Sequence, residues 1–439
     1  MIVPRTRLLV WAAIVLLPFG TLAGMDTSAR PFAAAVVVLF LVGAAIDAVL
    51  VLSRLRGVGV ELPEVTRASK DRELKLLVRV RNERQSANAL RIALETPSGL
   101  RGTTEEMTIA LPAESEWAQF DWTLVPTERG RFTIRSVRAE ASSPLGMWAF
   151  WKSFDAFSEV RVYPNLMRER KNLAALFLNR GAIGLHAQRM VGKGRDFEKL
   201  RDYIPGDSYD EVHWKATAKR GQPVTKIFQI ERTQEIYVVI DSSRLSARNA
   251  GVDQTLERFI TAALVLGLAA EHQGDLFGLL TFSDKVETFI RARNGEAHYH
   301  ACRDALYMLQ PREVTPDFDE LSTFIRLRMR RRALLFFLTS LDDPVLAEGF
   351  VRNMSLLCRQ HLILVNMLQP TGAQPLFSGA VESEAELYQK LGGHMRWQNL
   401  RELEKVLHRR GVRFSLLDSE KLAVDLVSQY VNVKQRQLL

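Results

Sequence analysis

The sequence predicts an α/β doubly wound domain over residues 235–439. A β-sandwich-like module over 57–165 and an N-terminal two-helix transmembrane hairpin over 1–56 precede it. Three observations carry this. Two long runs with almost no charge, Leu8–Met25 and Pro31–Leu52, open the chain. Short alternating segments broken by turn residues follow. From Glu235 onward, apolar runs of strand length alternate with helical patterns, which is the order of a parallel sheet covered by helices. Residues 166–234 form a signature segment between the last two domains.

The two apolar runs hold 18 and 22 residues. A bilayer core of about 30 Å needs roughly 20 helical residues, so both are long enough. The link between them, Asp26 to Arg30, carries one cation, Arg30; Arg5 and Arg7 precede the first run and Arg54 and Arg56 follow the second. The positive-inside rule then puts both ends, and everything after residue 56, in the cytoplasm. A cleaved signal peptide is the rival, because Thr21-Leu22-Ala23 follows an apolar core, but the second run would still remain. Asp47 lies near the cytoplasmic end, within reach of the interface or of Arg54.

In the β-rich module, strands are expected at Leu74–Val80, Leu90–Leu94, Trp117–Leu124 and Arg131–Ala139. Trp148, Phe150 and Trp151 are expected in a core or in a docking seam against the next domain.

The whole chain of 439 residues carries +9, with 25% charged and 47% hydrophobic residues. That balance excludes a polytopic channel and wholesale disorder. Two cysteines, Cys302 and Cys358, exclude a disulfide framework and suit a reducing compartment. Residues 1–56 hold +3 of the charge, so part of the surplus is a topology signal. Residues 186–232 hold ten Lys/Arg against seven Asp/Glu, a mixed surface rather than a groove for nucleic acid.

Gly192-Lys193-Gly194 lacks the order of a phosphate loop. Farther on, Pro205-Gly206-Asp207 predicts a tight turn. A short helix from Glu211 to Lys219 follows, capped by Asp207 or Ser208 and anchored by Trp214. Val224–Ile230 reads as a strand.

In the α/β domain, strands are expected at Glu235–Ile240, Leu276–Phe282, Ala333–Leu338, Leu362–Leu368 and Val412–Leu416, with Val286–Ile290 as an edge hairpin partner. Ligands of such sheets bind beyond the carboxyl ends of the strands. The first strand ends in Asp241-Ser242-Ser243, hard oxygen donors that suit Mg²⁺ or Ca²⁺.

Residues 191–243 resemble the signature of the bacterial domain-of-unknown-function family fifty-eight. The matching positions are Gly192, Gly194, Phe197, Leu200, Arg201, Tyr203, Pro205, Gly206, Asp207, Trp214, Ala216, Ala218, Lys219, Arg220, Glu231, Arg232 and Asp241. Arg129–Phe132, Pro144–Gly146 and Val162–Pro164 fit as well. The resemblance implies a von Willebrand A-like fold for 235–439 and a MoxR-type AAA+ ATPase as partner. It also implies a metal-ion-dependent adhesion site of pattern Asp-x-Ser-x-Ser. Asp241 and Ser243 match that pattern, Leu245 stands at its third position, and Ser246 comes one residue late. Thr315 is the later-loop ligand; Thr339-Ser340 stand where an acid is expected, with Asp342 two residues on. The expected site is therefore degenerate, with Mg²⁺ as its ion.

Within His298, His300 and Cys302, positions two apart face different sides of a helix, so joint ligation by all three is awkward. Arg326, Arg328 and Arg330–Arg332 fit a helix C-terminus. No HExxH or GxSxG pattern occurs. The expected function is that of a membrane-anchored interaction module without catalysis or nucleic-acid binding, active in complex or envelope assembly. The alternative is a metal-dependent hydrolase on the same fold.

Overall fold

The computed structural model describes residues 1–83, 88–111, 115–167, 169, 171, 191–205, 207–229, 234–250, 253–376 and 383–436. The chain divides into two compact units, Met1–Asn165 and Leu166–Leu439.

The first unit contains both apolar helices, α1 (Thr6–Met25) and α2 (Arg30–Arg54). Each is long and apolar enough to cross a membrane. Leu9, Leu17, Leu39 and Val49 point outward, between 65% and 72% exposed, which in water would be costly. Strand β1 (Ile2–Pro4) lies ahead of α1, and β2 (Val58–Glu61) follows α2.

Both strands belong to a sandwich. One sheet contains β2, β4 (Leu74–Asn82), β8 (Trp117–Pro126) and β6 (Leu100–Gly102), in the order β2-β4-β8-β6. The other runs β1-β10-β9-β5-β7, from β10 (Trp148–Tyr163), β9 (Gly130–Ser142), β5 (Asn88–Leu94) and β7 (Glu106–Leu111), with β3 (Val65–Ser69) also on β10. The core forms by alternation. Leu76, Val78 and Val80 of β4 meet Leu90 and Ile92 of β5, Trp122 of β8 and Val137 of β9, all at most 1% exposed.

The four strands expected here are present. Strands β2, β3, β6, β7 and β10 were not anticipated from sequence. In β10 the alternation is hidden because two buried positions are polar: Ser158, and Glu159 held by Arg131 and Arg161. Trp148 faces α2 within the same unit, its Nε1 donating to the Ala44 carbonyl at 2.9 Å. Of the two fates expected for Asp47, reaching the interface or pairing with Arg54, the pairing does not occur. Asp47 is buried and its Oδ1 accepts from the Leu145 amide at 3.0 Å, while Arg54 donates to the Ser142 carbonyl at 2.9 Å. A backbone amide at the right depth competes successfully with a long guanidinium arm.

The second unit begins with an antiparallel hairpin, β11 (Val191–Asp202) against β12 (Val224–Gln229). Between them lie a 3₁₀ turn (Tyr209–Glu211) and α3 (Trp214–Arg220). The predicted helix is thus split. Its cap is not Asp207 or Ser208 but His213, whose Nδ1 accepts from the Ala216 amide at 3.0 Å. The charged, helical pattern of residues 166–179 falls mostly outside the described residues.

An open six-stranded sheet follows, ordered β17-β16-β13-β18-β19-β20. Its strands are β13 (Glu235–Asp241), β16 (Leu276–Phe282), β17 (Val286–Arg293), β18 (Leu334–Leu338), β19 (Leu362–Leu368) and β20 (Arg413–Leu417); a two-residue pair, β14 (Asn249–Ala250) and β15 (Asp253–Gln254), sits beside them. Only β17 runs antiparallel, at the edge as expected. Successive residues of β13 feed two cores. Ile236, Val238 and Ile240 pack with α4 (Thr255–His272), α5 (Glu296–Leu306) and α9 (Leu422–Gln435). Tyr237 and Val239 pack with α6 (Phe318–Arg328), α7 (Pro344–Leu357) and α8 (Glu384–Arg409). Helices therefore cover both faces, which is why the strands are apolar throughout.

Candidate functional site

The chain steps from β13 to β16 on one side and later to β18 on the other, so the sheet order reverses at β13. Such a point is where open α/β sheets hold ligands. Asp241 ends β13 there and is fully buried. Its Oδ1 accepts from the Ser243 amide at 2.9 Å, and its Oδ2 accepts from the Thr339 hydroxyl at 2.6 Å. Burial pushes the Asp241 carboxyl up, against these hydrogen bonds that pull it down.

The remaining expected donors are committed elsewhere. Ser243 Oγ accepts from the Leu245 amide at 3.3 Å, and Leu245 itself is buried. The Ser246 hydroxyl donates to the Ser243 carbonyl at 2.8 Å. Thr315 rides on a loop fixed over β13, with the Arg244 amide donating to Val314 and the Arg312 amide to Ser242, yet Thr315 is exposed. Asp342 takes both its contacts, at 2.9 and 2.7 Å, from Nη1 of Arg248. The structure thus brings Asp241 and Ser243 together but does not turn Thr315 toward them. Among the described residues no group of three His, Cys, Asp or Glu could hold a metal. The donor set does not fit Mg²⁺: its one acid is buried against a hydroxyl and an amide, where a cation would need open carboxylate oxygen.

Two cations that sequence did not single out organise this edge. Arg312 reaches Asp284 at 3.1 Å and Glu287 at 3.3 Å, beside Ser283. Arg248 pairs with Asp342 at 2.7 Å, and both line a cavity of about 620 Å³ with Ser340, Gln369, Arg396 and Asp418. The resemblance put Thr339 at this edge, where an acid was expected; that its hydroxyl donates to Asp241 follows only once the sheet order is known.

The signature segment is built differently. Asp207 accepts from Arg201 Nη2 at 2.7 Å, the Ile204 amide at 3.1 Å and the Thr225 hydroxyl at 3.2 Å. The Ile204 amide first, then Thr225 and the Arg201 charge, hold its carboxyl below the usual range. Tyr203 stacks obliquely on Tyr209, ring centres 6.3 Å apart, and its amide donates to the Pro223 carbonyl. Gly192 and Gly194 fall in an irregular stretch of β11, where Val191 and Asp196 both register with Gln229; Phe197 registers with Phe228. Gly206, Glu231 and Arg232 lie outside the described residues. Trp214 does not anchor its helix inward: it is 67% exposed, Tyr209 is 74% and Ile204 56% exposed. Pro205, Lys219 and Arg220 are exposed as well, and Arg220 lies 3.9 Å from Asp202. This helix of two turns buries none of its residues, Trp214 included.

The histidine–cysteine group is structural. His298 Nε2 meets the Phe277 carbonyl at 2.8 Å, Cys302 is buried with its thiol pushed up to about 12, and His300 faces Glu296 instead.

An open sheet with helices on both faces, entered through this hairpin, defines an α/β protein with an apolar helical pair at its N-terminus. Residues 199–386 match the family described as "Protein of unknown function DUF58". The chain is 24% identical over 207 residues to "Uncharacterized protein Rv1480" of Mycobacterium tuberculosis, covering 46% of this chain and 64% of that protein. It is 24% identical over 152 residues to "Uncharacterized protein YeaD" of Bacillus subtilis, covering 33% of this chain and 37% of that one. Among solved structures, proximal thread matrix protein 1 from the mussel byssus matches with a TM-score of 0.27 at 14% identity, over 46% of this chain and 45% of that one. An uncharacterized membrane spanning protein from Vibrio fischeri matches with a TM-score of 0.17 at 12% identity, over 46% and 98%.

Proposed function

We propose that the chain is a membrane-anchored protein-interaction module of the inner membrane. It docks its partner through the signature turn rather than through a metal at the sheet edge. The observation that carries this is the outward display of Ile204, Tyr209 and Trp214 on a hairpin whose backbone is fixed from within by Asp207. Rigid, exposed aromatics ringed by charge are what binding hot spots are made of. Asp210, Lys215, Lys219 and Arg220 supply that ring.

The partner is a MoxR-type AAA+ ATPase, a reading supported by the family resemblance of the signature. A non-catalytic role is supported by Asp241, which is hydrogen-bonded to Ser243 and Thr339 and so is no free general base. Anchoring is supported by β1 and β2. They flank the helical pair and join one sandwich, so both ends of the hairpin lie on one side of the bilayer. A strand ahead of α1 also favours a retained first span over a cleaved leader. The soluble units are cytoplasmic, and reporter fusions after residue 60 test that.

Affinity capture of the full chain from detergent-solubilised membranes, with and without ATP and Mg²⁺, tests the partner. Co-purification of an AAA+ ATPase that Trp214→Ala abolishes is expected. Capture of the intact chain without any ATPase would remove that partner.

A further inference from the structure

Two cavities adjoin at the start of α1, within the first unit. One, of about 420 Å³, is polar and lined by Arg5, Thr6, Arg7, Ser142 and Ser143. The other, of about 540 Å³, is lined by Val10, Trp11, Leu145 and Met147, and shares Thr6 and Arg7 with the first. We propose that together they form a phospholipid site. Arg7 holds the headgroup phosphate of an anionic lipid, and the Val10–Trp11–Leu145 recess takes the upper part of an acyl chain. This rests on the reading of α1 and α2 as membrane spans.

The charges around the polar chamber single out Arg7. Arg5 pairs with buried Glu140 at 3.2 Å and donates to Ser142 Oγ at 2.7 Å. Arg54 donates to the Ser142 carbonyl at 2.9 Å, and Asp47 accepts from the Leu145 amide at 3.0 Å. Arg7 has no ion pair or hydrogen bond among the described residues, so its guanidinium is the surplus cation of the site. It lies close to Gly146, where an added Cβ would stand 3.0 Å from Arg7 Nη1. Gly146 has φ 73°, and only a residue without a side chain both turns there and leaves room for the guanidinium.

The walls are rigid before any ligand arrives. The Ser143 amide donates to the Trp148 carbonyl at 2.8 Å, the Gly146 amide to the Ser143 carbonyl at 3.0 Å, and the Trp148 indole to α2 at 2.9 Å. The apolar wall is open: Val10 is 52%, Trp11 49% and Leu145 57% exposed. An amphiphile matches both chambers at once, whereas free phosphate satisfies only the first. An anionic headgroup adds no cation of its own to compete with Arg7.

The test uses the full chain reconstituted in vesicles, with tryptophan emission read against brominated lipids. The share of emission that Trp11→Phe removes is assigned to Trp11. Brominated phosphatidylglycerol is expected to quench that share about fivefold more effectively than brominated phosphatidylcholine, the size one interfacial cation gives. Arg7→Gln should bring the two lipids to within about a factor of two, and Arg7→Lys should keep the preference. Equal quenching by both lipids in the wild type overturns the headgroup site while leaving the spans intact. Loss of the preference on adding millimolar inorganic phosphate turns the site into a phosphate site and overturns the lipid. No quenching by either lipid removes the spans beneath the proposal.

Discussion

Asp241 and Asp207 are two aspartates of the second unit with opposite surroundings. Around Asp241 polar groups are inside: the carboxyl, Ser243, Ser246 and Thr339 are buried, and each has a hydrogen-bond partner. Around Asp207 a few polar contacts fix a turn so that Ile204, Tyr209 and Trp214 stand in solvent. The first arrangement spends its chemistry on the fold. The second leaves unmet apolar surface, which a partner can cover. The contrast teaches that an acid at a ligand-competent sheet edge becomes a site only when the fold leaves it something to bind.

Substitutions test this contrast, beginning with the most damaging. Asp241→Ala strands the Ser243 amide and the Thr339 hydroxyl in the core, and thermal melts of the detergent-solubilised chain should show a loss of about 2–4 kcal/mol. Asp241→Asn keeps an acceptor for Ser243 and should cost under about 1 kcal/mol. A large loss with Asn too would mean that the charge itself is needed, as at a metal.

Trp214→Ala should weaken capture of the partner by about 2 kcal/mol, roughly 30-fold. Its melting should stay within about 0.5 kcal/mol of wild type, because the ring is 67% exposed. Equal losses in melting and capture would return Trp214 to the core.

Acid should affect the two regions oppositely. The folded-state pKa of Asp207 lies below its ordinary value, so its contribution is present above that value and is lost as pH falls through the folded pKa. The Asp241 pKa is raised, so its ionisation opposes folding as pH rises above the ordinary carboxylate range. Asp207→Asn should therefore flatten the acid limb of the stability profile, and Asp241→Asn should remove a decline at higher pH. Unchanged profiles in both variants would refute the assignment of these shifts. The smallest effect expected is that of Mg²⁺: calorimetry on the wild-type chain should show no saturable heat that Asp241→Asn abolishes. Such a heat would restore the adhesion-site reading.

Much of the architecture was legible because burial imposes periodicity. EIYVVI, LFGLLTF, ALLFFL and LILVNML have no polar face, and they became the four adjoining strands covered on both sides. The four alternating segments of the sandwich were equally plain. Strands β2, β3 and β6 were too short to show a period, and β10 hid its period behind buried Ser158 and Glu159. At the site, Asp241 and Ser243 could be picked out because they sit two apart at a strand end. Thr339 was named only through the resemblance, as standing in place of an acid; its bond to Asp241, 98 residues away in sequence, forms only through the β13–β18 pairing. Trp214 was misjudged because composition places tryptophan inside on average, while its exposure depends on what surrounds one short helix.

By itself the sequence determined the helical pair, the two kinds of sheet and the acid at the end of β13, since each follows from local period or length. Only the tertiary structure decided that Thr339 closes on that acid, that Trp214 faces out and that Arg7 is left unpaired. Those outcomes depend on which distant groups reach the same place first, and that competition leaves no local pattern to read.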